Sequence, residues 1–140
     1  MSSWKIRSAT SDDVEPILEL WARAEAQPVV GSDREGLERL LARDGESLLV
    51  AEAAAGELLG TLIAAWDGWR GGFYRLAVDP GHRRGGLATA LVREGERRLA
   101  TRGAERLTAI VAEEDPGAYD FWVAAGYEPQ ARRRRFVRHV

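Results

Sequence analysis

FYRLAVDPGHRRGGLATALVREGERRL, residues 73–99, is the stretch that decides the fold of this chain. Its first part, residues 73–78, has the aromatic and apolar pattern of a strand, which Pro80 ends because proline has no amide hydrogen. Its last part places apolar residues at steps of three and four, which predicts an amphipathic helix that reaches Leu99. A glycine-bearing loop therefore leads from a strand directly into a helix N-terminus.

This loop suits an anionic ligand. The first amides of a helix lack intrahelical acceptors, and the helix dipole adds about half a positive charge there. Gly85 and Gly86 have no Cβ, so a bulky ligand can approach the backbone, and Arg83 and Arg84 add guanidinium groups that pair with phosphate oxygens. The loop has neither the Gly-Lys-Ser/Thr of a Walker loop nor the three-glycine spacing of a dinucleotide fingerprint.

Length and composition restrict the class of protein. A chain of 140 residues predicts a single domain that spans residues 1–140. Its net charge of -2 argues against a general nucleic-acid or membrane binder. It has no cysteine and 2 histidines, so neither a disulfide, a cysteine nucleophile nor a metal site is expected. No apolar run approaches the ~20 residues of a membrane span and no signal core is present, which predicts a cytoplasmic protein.

The remaining patterns predict the order β-α-α-β-β-β-α-β-α-β. Strands at residues 47–53, 58–66 and 73–78 are joined by short turns, which predicts an antiparallel meander. A helical crossover then allows a strand at residues 107–112 to lie parallel to residues 73–78. After a last helix, one or two final strands are predicted beyond Tyr127.

The loop and this order of elements together resemble the GNAT superfamily of N-acetyltransferases. The acyl-CoA pyrophosphate loop of that family reads Arg/Gln-x-x-Gly-x-Gly/Ala, which Arg83, Gly86 and Ala88 match, and the resemblance covers essentially the whole chain. It implies an α/β fold with a mixed central sheet of about six or seven strands, mostly antiparallel with a splayed parallel pair, and about four flanking helices. It also implies transfer of an acetyl group from acetyl-CoA to a primary amine by direct attack in a ternary complex.

The same resemblance implies where acetyl-CoA lies. In the family the pantetheine arm occupies the gap between the two splayed strands, which here are residues 73–78 and 107–112. Main-chain groups of Leu76 and Val78 would hydrogen-bond the pantetheine amides. The full set of implied cofactor contacts is Leu76, Ala77, Val78, Arg83, Arg84, Gly85, Gly86, Leu87, Ala88 and Thr89.

Acetyl transfer also needs a base or water relay for the amine proton and benefits from a donor to the leaving thiolate. Glu113 and the adjacent Glu114 are candidates for the base, as is Asp67, with a solvated loop carboxylate as the alternative for each. Trp122 stands where the family has a tyrosine acid. Tyr119, one helical turn earlier, is therefore the candidate acid, with a surface aromatic as the alternative.

Other positions depart from the family or have a structural interpretation. Arg75 replaces a frequent glutamate, and Asp115 replaces an asparagine that binds CoA, although Asp115 can also be an N-cap. His82 is expected to pack over the loop rather than act as a base, and Tyr127 is assigned to packing.

The acceptor is expected between residues 27–32, the turn at residues 66–69 and the end of the strand at 107–112. Acidic residues in and near these segments, Glu25, Asp67, Glu113 and Glu114, would attract cationic amines. The acceptor is either a small-molecule amine or a protein amine, and membranes and nucleic acids are not expected partners. Many relatives dimerise, so a homodimer is an expectation. The alternative function is an acyl-CoA-binding module without turnover, because Trp122 replaces the usual tyrosine.

Overall fold

The computed structural model describes residues 3–24, 33–111 and 115–140. These residues form two compact units, Met1–Ile110 and Val111–Val140. Within the described ranges, no helix combines the length and the apolar character that a membrane crossing requires. That residues 1–140 form a single domain stays a prediction.

A mixed five-stranded sheet forms the centre of the first unit, with strands in chain order across the sheet. Its first four strands pair antiparallel and the last two pair parallel, so the predicted meander and the crossover are both confirmed. The strands are β1 (Trp4–Ser8), β2 (Leu48–Ala53), β3 (Leu58–Trp66), β4 (Gly71–Val78) and β5 (Leu107–Ala109).

Helices cover both faces of this sheet. The helices are α1 (Val14–Ala24), α2 (Asp33–Asp44) and α3 (Leu87–Arg102), with α4 (Pro116–Ala124) in the second unit. Trp21 of α1 and Ala77 of β4 belong to one buried cluster on the first face. On the other face α3 lies so close to the sheet that a Cβ at Gly95 would be 2.8 Å from the ring of Phe73. A larger residue at position 95 would push α3 away from β4.

The prediction of six or seven strands is wrong, because the described residues form a sheet of five. β5 ends at Ala109 rather than at residue 112, and Ile110 is 59% exposed. Residues 127–140 are all described and contain no strand. Pro129 cannot donate to a ladder, and the four consecutive arginines at residues 132–135 provide no alternating apolar face that could pack on a core.

Candidate active site

The edge of β4 that faces β5 is open over most of its length. β5 pairs with Gly71, Gly72 and Phe73, and the described residues of the first unit place no strand beside the rest of this edge. The parallel pair therefore separates where the resemblance implies the pantetheine arm. A ligand that runs along this edge can take the place of the missing strand.

The main-chain groups of Leu76 and Val78 point to that open edge. On the other side of β4, Ala77 pairs with Thr61 of β3, and the amide of Asp79 donates to the Leu59 carbonyl oxygen at 2.8 Å. Alternate residues of an antiparallel strand direct their N–H and C=O groups to opposite edges. Leu76 and Val78 therefore have main-chain groups that are free of β3 and can bind an amide-bearing ligand.

A β-bulge at Arg75 bends β4 at the point where the strands separate. Arg75 has a φ of 54°, a left-handed value that costs energy for a residue with a side chain, and the register with β3 shifts here. The carbonyl oxygen of Arg75 accepts from the hydroxyl of the buried Thr61 at 3.0 Å, and that hydroxyl accepts from the indole N–H of Trp21 at 2.9 Å. This buried chain of hydrogen bonds holds the bulge in place.

The side chain of Arg75 lies on the same face as α1 and α2. Its guanidinium carbon lies 4.3 Å from the ring centroid of Trp21, and its Nη2 lies 3.2 Å from a carboxylate oxygen of Asp33. Its Nη1 is buried and has no hydrogen-bond partner among the described residues. Sequence reasoning noted that an arginine replaces the family's glutamate but missed this network. The signal was a charged residue within an apolar strand, which requires partners when it is buried.

Asp79 organises the turn between β4 and the loop. Its carboxylate accepts from Arg23 Nε at 2.6 Å and from the amide of Gly81 at 3.1 Å, and it lies 2.9 Å from Nδ1 of His82. The bonds from Arg23 and His82 lower the pKa of Asp79 to about 2. His82 thus has a structural partner in the turn, in agreement with the expectation that it packs there.

The helix α3 begins as the sequence predicted. Gly86 caps it with a φ of 83°, and the first bond of the helix runs from the amide of Ala90 to the carbonyl oxygen of Gly86 at 3.0 Å. The amides of Leu87, Ala88 and Thr89 precede that bond and therefore have no intrahelical acceptor. A Cβ at Gly86 would meet no atom of the described residues within 4 Å, so the space beside this N-cap is open among them.

The two arginines of the loop have different surroundings. Arg83 Nη2 donates to the carbonyl oxygen of Ala24 at 3.0 Å, at the last residue of α1. Arg84 is exposed, has a left-handed φ of 67° and makes no side-chain hydrogen bond or ion pair with the described residues. Arg84 is therefore the more available cation for an anion at this helix terminus.

Of the candidate bases, only Asp67 lies among the described residues. Glu113 and Glu114, as well as Glu25 and residues 27–32, lie outside the described residues. Asp67 is described, and its carboxylate accepts from the amides of Trp69 and Arg70 at 2.8 and 2.6 Å and from Arg70 Nε at 3.1 Å. These bonds hold the pKa of Asp67 below its usual range, and the bond from the Arg70 amide has the largest effect. Asp67 stabilises its own turn, so it is a poor base.

In the second unit, Tyr119 is on α4 and 51% exposed. Trp122 packs edge-on against Phe121 and Tyr127, with ring centroids 5.3 and 4.9 Å apart. The packing role predicted for Tyr127 is confirmed, and Trp122 shares it. Asp115 accepts from the amide of Ala118 at 3.0 Å, so it is the N-cap of α4.

A cavity of about 460 Å³ lies on the first unit beside the turn between β3 and β4. It includes the turn after Trp66, which is one of the segments expected around the acceptor, and it includes Thr108, at the beginning of the predicted strand at 107–112 rather than at its end. We call it the Gly72 cavity, and its lining residues are Ala65, Trp66, Asp67, Arg70, Gly71, Gly72, Tyr74, Arg106 and Thr108.

Comparison with protein families matches residues 13–127 to the acetyltransferase (GNAT) family. Acetyltransferase SG1711 of Sodalis glossinidius is 32% identical over 126 residues, which cover 90% of this chain and 88% of that protein. Acetyltransferase plu1384 of Photorhabdus laumondii is 36% identical over 111 residues, which cover 79% of this chain and 77% of that protein.

Solved structures share the fold at lower identity. Aminoglycoside N-acetyltransferase AAC(6')-Iy in complex with CoA has a TM-score of 0.81 at 20% identity and covers 99% of this chain and 96% of that one. The same enzyme with the bisubstrate analogue CoA-S-monomethyl-acetylneamine gives a TM-score of 0.80. Ard1 of Thermoplasma volcanium has a TM-score of 0.79 at 18% identity, and the match covers 89% of this chain and 82% of that one.

Proposed function

Because the chain belongs to the GNAT family of acetyltransferases, we propose that it transfers an acetyl group from acetyl-CoA to a primary amine by direct attack in a ternary complex. The observation that carries this proposal is the edge of β4 that no strand of the described first unit pairs beyond Phe73 and that leads to the N-terminus of α3. The solved aminoglycoside acetyltransferases share the fold at about one fifth identity, so their acceptor is not carried over to this chain.

The residues present fit acetyl-CoA. The free amides of Leu87, Ala88 and Thr89 suit the pyrophosphate, because helix N-termini bind anions through such amides. Arg84 adds a cation with no partner among the described residues. The free main-chain groups of Leu76 and Val78 suit the amides of the pantetheine arm. This assignment places the thioester near the bulge at Arg75.

The reaction requires few side chains. The lone pair of the neutral amine attacks the thioester carbonyl carbon, a carbon–nitrogen bond forms, the carbon–sulfur bond breaks, and CoA leaves as its thiolate. The amine proton passes to a base or to water. Holding the two substrates together supplies much of the acceleration. The sequence has no cysteine, so no cysteine thioester forms on the protein.

We assign the proton transfers to Glu113 and Tyr119. Glu113 follows the segment of β5 in the chain and would take the amine proton, directly or through water. Tyr119 would donate to the thiolate, in place of the family's tyrosine at Trp122. A cytoplasmic location and a homodimer also stay predictions.

The test is thiol release from acetyl-CoA in the presence of a panel of amines, with acetylated product identified by mass spectrometry. The panel holds alkylamines, amino acids, peptides and an aminoglycoside. We expect release that depends on both substrates, with double-reciprocal lines that intersect, as a ternary complex requires. Parallel lines would contradict direct attack. Tight CoA binding without release for any amine would support the acyl-CoA-binding module instead.

A further inference from the structure

The Gly72 cavity lies on the face of the sheet opposite α3. A Cβ at Gly71 would lie 2.7 Å from Leu107 and 2.8 Å from Leu99, so position 71 faces α3. Successive residues of a strand point to opposite faces. A Cβ at Gly72 would instead lie 3.4 Å from both the hydroxyl of Thr108 and the ring of Tyr74. These two side chains therefore stand on either side of the space above Gly72.

The absence of a side chain at position 72 leaves space in the cavity. Its φ is not among the positive values of the chain, so the backbone there does not require glycine. A glycine inside a strand weakens the strand and often marks a place where a ligand approaches the backbone closely. The contacts of 3.4 Å leave room for a methyl group, whereas a larger side chain would extend into the cavity. Gly72 thus forms the floor of a binding space.

The charges around the cavity are unequal. Arg70 and Arg106 line it, and Asp67 is the acidic lining residue. The Asp67 carboxylate already accepts three hydrogen bonds within its own turn. Arg106 is exposed and makes no hydrogen bond or ion pair through its side chain with the described residues. Arg70 is itself paired with Asp67 through its Nε at 3.1 Å, so the two arginines and one aspartate of the lining leave one excess positive charge, that of Arg106. An anion in the cavity would therefore meet the guanidinium of Arg106.

From this arrangement we propose that the Gly72 cavity binds the end of the acceptor that is remote from the amine, and that this end carries a carboxylate. The proposal rests on the proposed acetyl transfer and names its substrate class, an ω-amino acid or an amine with a similarly placed acid. Arg106 would pair with the carboxylate, while Trp66 and Tyr74 would contact the carbon chain. The cavity reaches Tyr74, which directly precedes Arg75, and the thioester is proposed to lie near Arg75, so a short chain spans the distance between them.

Two amines of equal length provide the first test. ε-Aminocaproate and n-hexylamine have the same primary amine and a chain of similar length, and only the first has a carboxylate. We expect kcat/KM for ε-aminocaproate to be at least about tenfold higher, mainly through a lower KM, because a hydrogen bond between two charged groups is lost with n-hexylamine. An aminoglycoside should be a poorer substrate than ε-aminocaproate, since it has no carboxylate for Arg106 and its cationic groups would be repelled by that side chain.

Three variants locate this preference. Arg106→Gln should lower the ratio between the two amines about tenfold. Arg97→Gln is the matched control, because Arg97 is an exposed arginine of α3 on the opposite face of the sheet, paired with Glu94. It should leave the ratio unchanged. Gly72→Val should raise KM for ε-aminocaproate by filling the cavity, and a thermal unfolding curve like that of wild type would show that the variant folds.

A binding measurement separates this proposal from acetyl transfer itself. Calorimetry with CoA present would test ε-acetamidocaproate, the acetylated product, against wild type and Arg106→Gln. Binding that Arg106→Gln weakens, without turnover of any amine, would support the cavity and overturn the proposed function. Turnover of n-hexylamine equal to or better than that of ε-aminocaproate would overturn the carboxylate assignment and leave acetyl transfer standing. Neither turnover nor product binding would overturn both.

Discussion

Gly86→Asp should weaken CoA binding strongly. Gly86 is the N-cap of α3, and the space in front of it is open. An aspartate there would place a negative charge beside the amides of Leu87 and Ala88, where the pyrophosphate is proposed to lie. The carboxylate could also accept a hydrogen bond from the amide of Ala88 or Thr89 and so compete with the ligand.

The magnitude follows from charge and backbone conformation. Two unit charges about 4 Å apart repel by about 4 kcal/mol at the effective dielectric near a protein surface. The loop is exposed, so screening reduces this to about 2 kcal/mol, which is about thirtyfold in Kd. The left-handed φ of 83° adds a folding cost of about 1 kcal/mol, because residues other than glycine rarely adopt it.

Two controls separate charge from strain. Gly86→Asn has nearly the same size and tolerates a left-handed φ, so it should fold like the aspartate variant and bind CoA much more tightly than it does. Gly103→Asp places the same residue at the other end of α3, at a φ of 107° with equally open space, and should leave CoA affinity unchanged. Calorimetry with CoA measures all four proteins. A folded Gly86→Asp protein with wild-type affinity would refute the assignment of the pyrophosphate to this terminus.

Three further results are expected. Tyr119→Phe should lower kcat about tenfold or more with little change in CoA affinity, as measured by steady-state kinetics and calorimetry; a full-rate variant would show that the thiolate leaves without this tyrosine. The pKa of Asp79, about 2 in the folded protein and 3.8 as the ordinary value, implies stability that is fully present above about pH 4 and is lost as pH falls toward 2. Asp79→Asn should lower the free energy of unfolding at neutral pH by about 1 kcal/mol, which is less than the pKa shift alone implies because Arg23 is 43% exposed to solvent. Unfolding curves at several pH values would reveal this loss, and equal stability of wild type and variant at neutral pH would contradict it. Thr61→Val should reduce the free energy of unfolding by about 2 kcal/mol, because the indole N–H of Trp21 loses its acceptor; a denaturant titration with no change would show that another group accepts it.

Local signals explain why the loop and its helix were predictable. Pro80 ends β4, the glycines precede the first helical turn, and the period of apolar residues continues to Leu99, so neighbouring residues alone determine this part. The same holds for β3, whose predicted residues 58–66 agree with the structure. In these segments propensity and packing favour the same conformation.

Partners distant in the chain explain what sequence reasoning missed. The role of Arg75 depends on Trp21, Thr61 and Asp33, which come from three other elements. Asp67 has a carboxylate that can act as a base, but the hydrogen bonds that occupy this carboxylate depend on the geometry of its turn. The sequence predicts a longer β5 than the structure has, because an apolar run such as residues 107–112 has the same pattern whether or not a neighbouring strand pairs with it.

The most direct test of the account is the set of backbone amide shifts in an NMR titration with CoA. We expect the largest changes on Leu87, Ala88 and Thr89, with a second group at Leu76 and Val78, while Gly103 at the far end of α3 stays unchanged. Saturable binding with the three helix amides unmoved would contradict it, because the cofactor would then lie away from the N-terminus of α3.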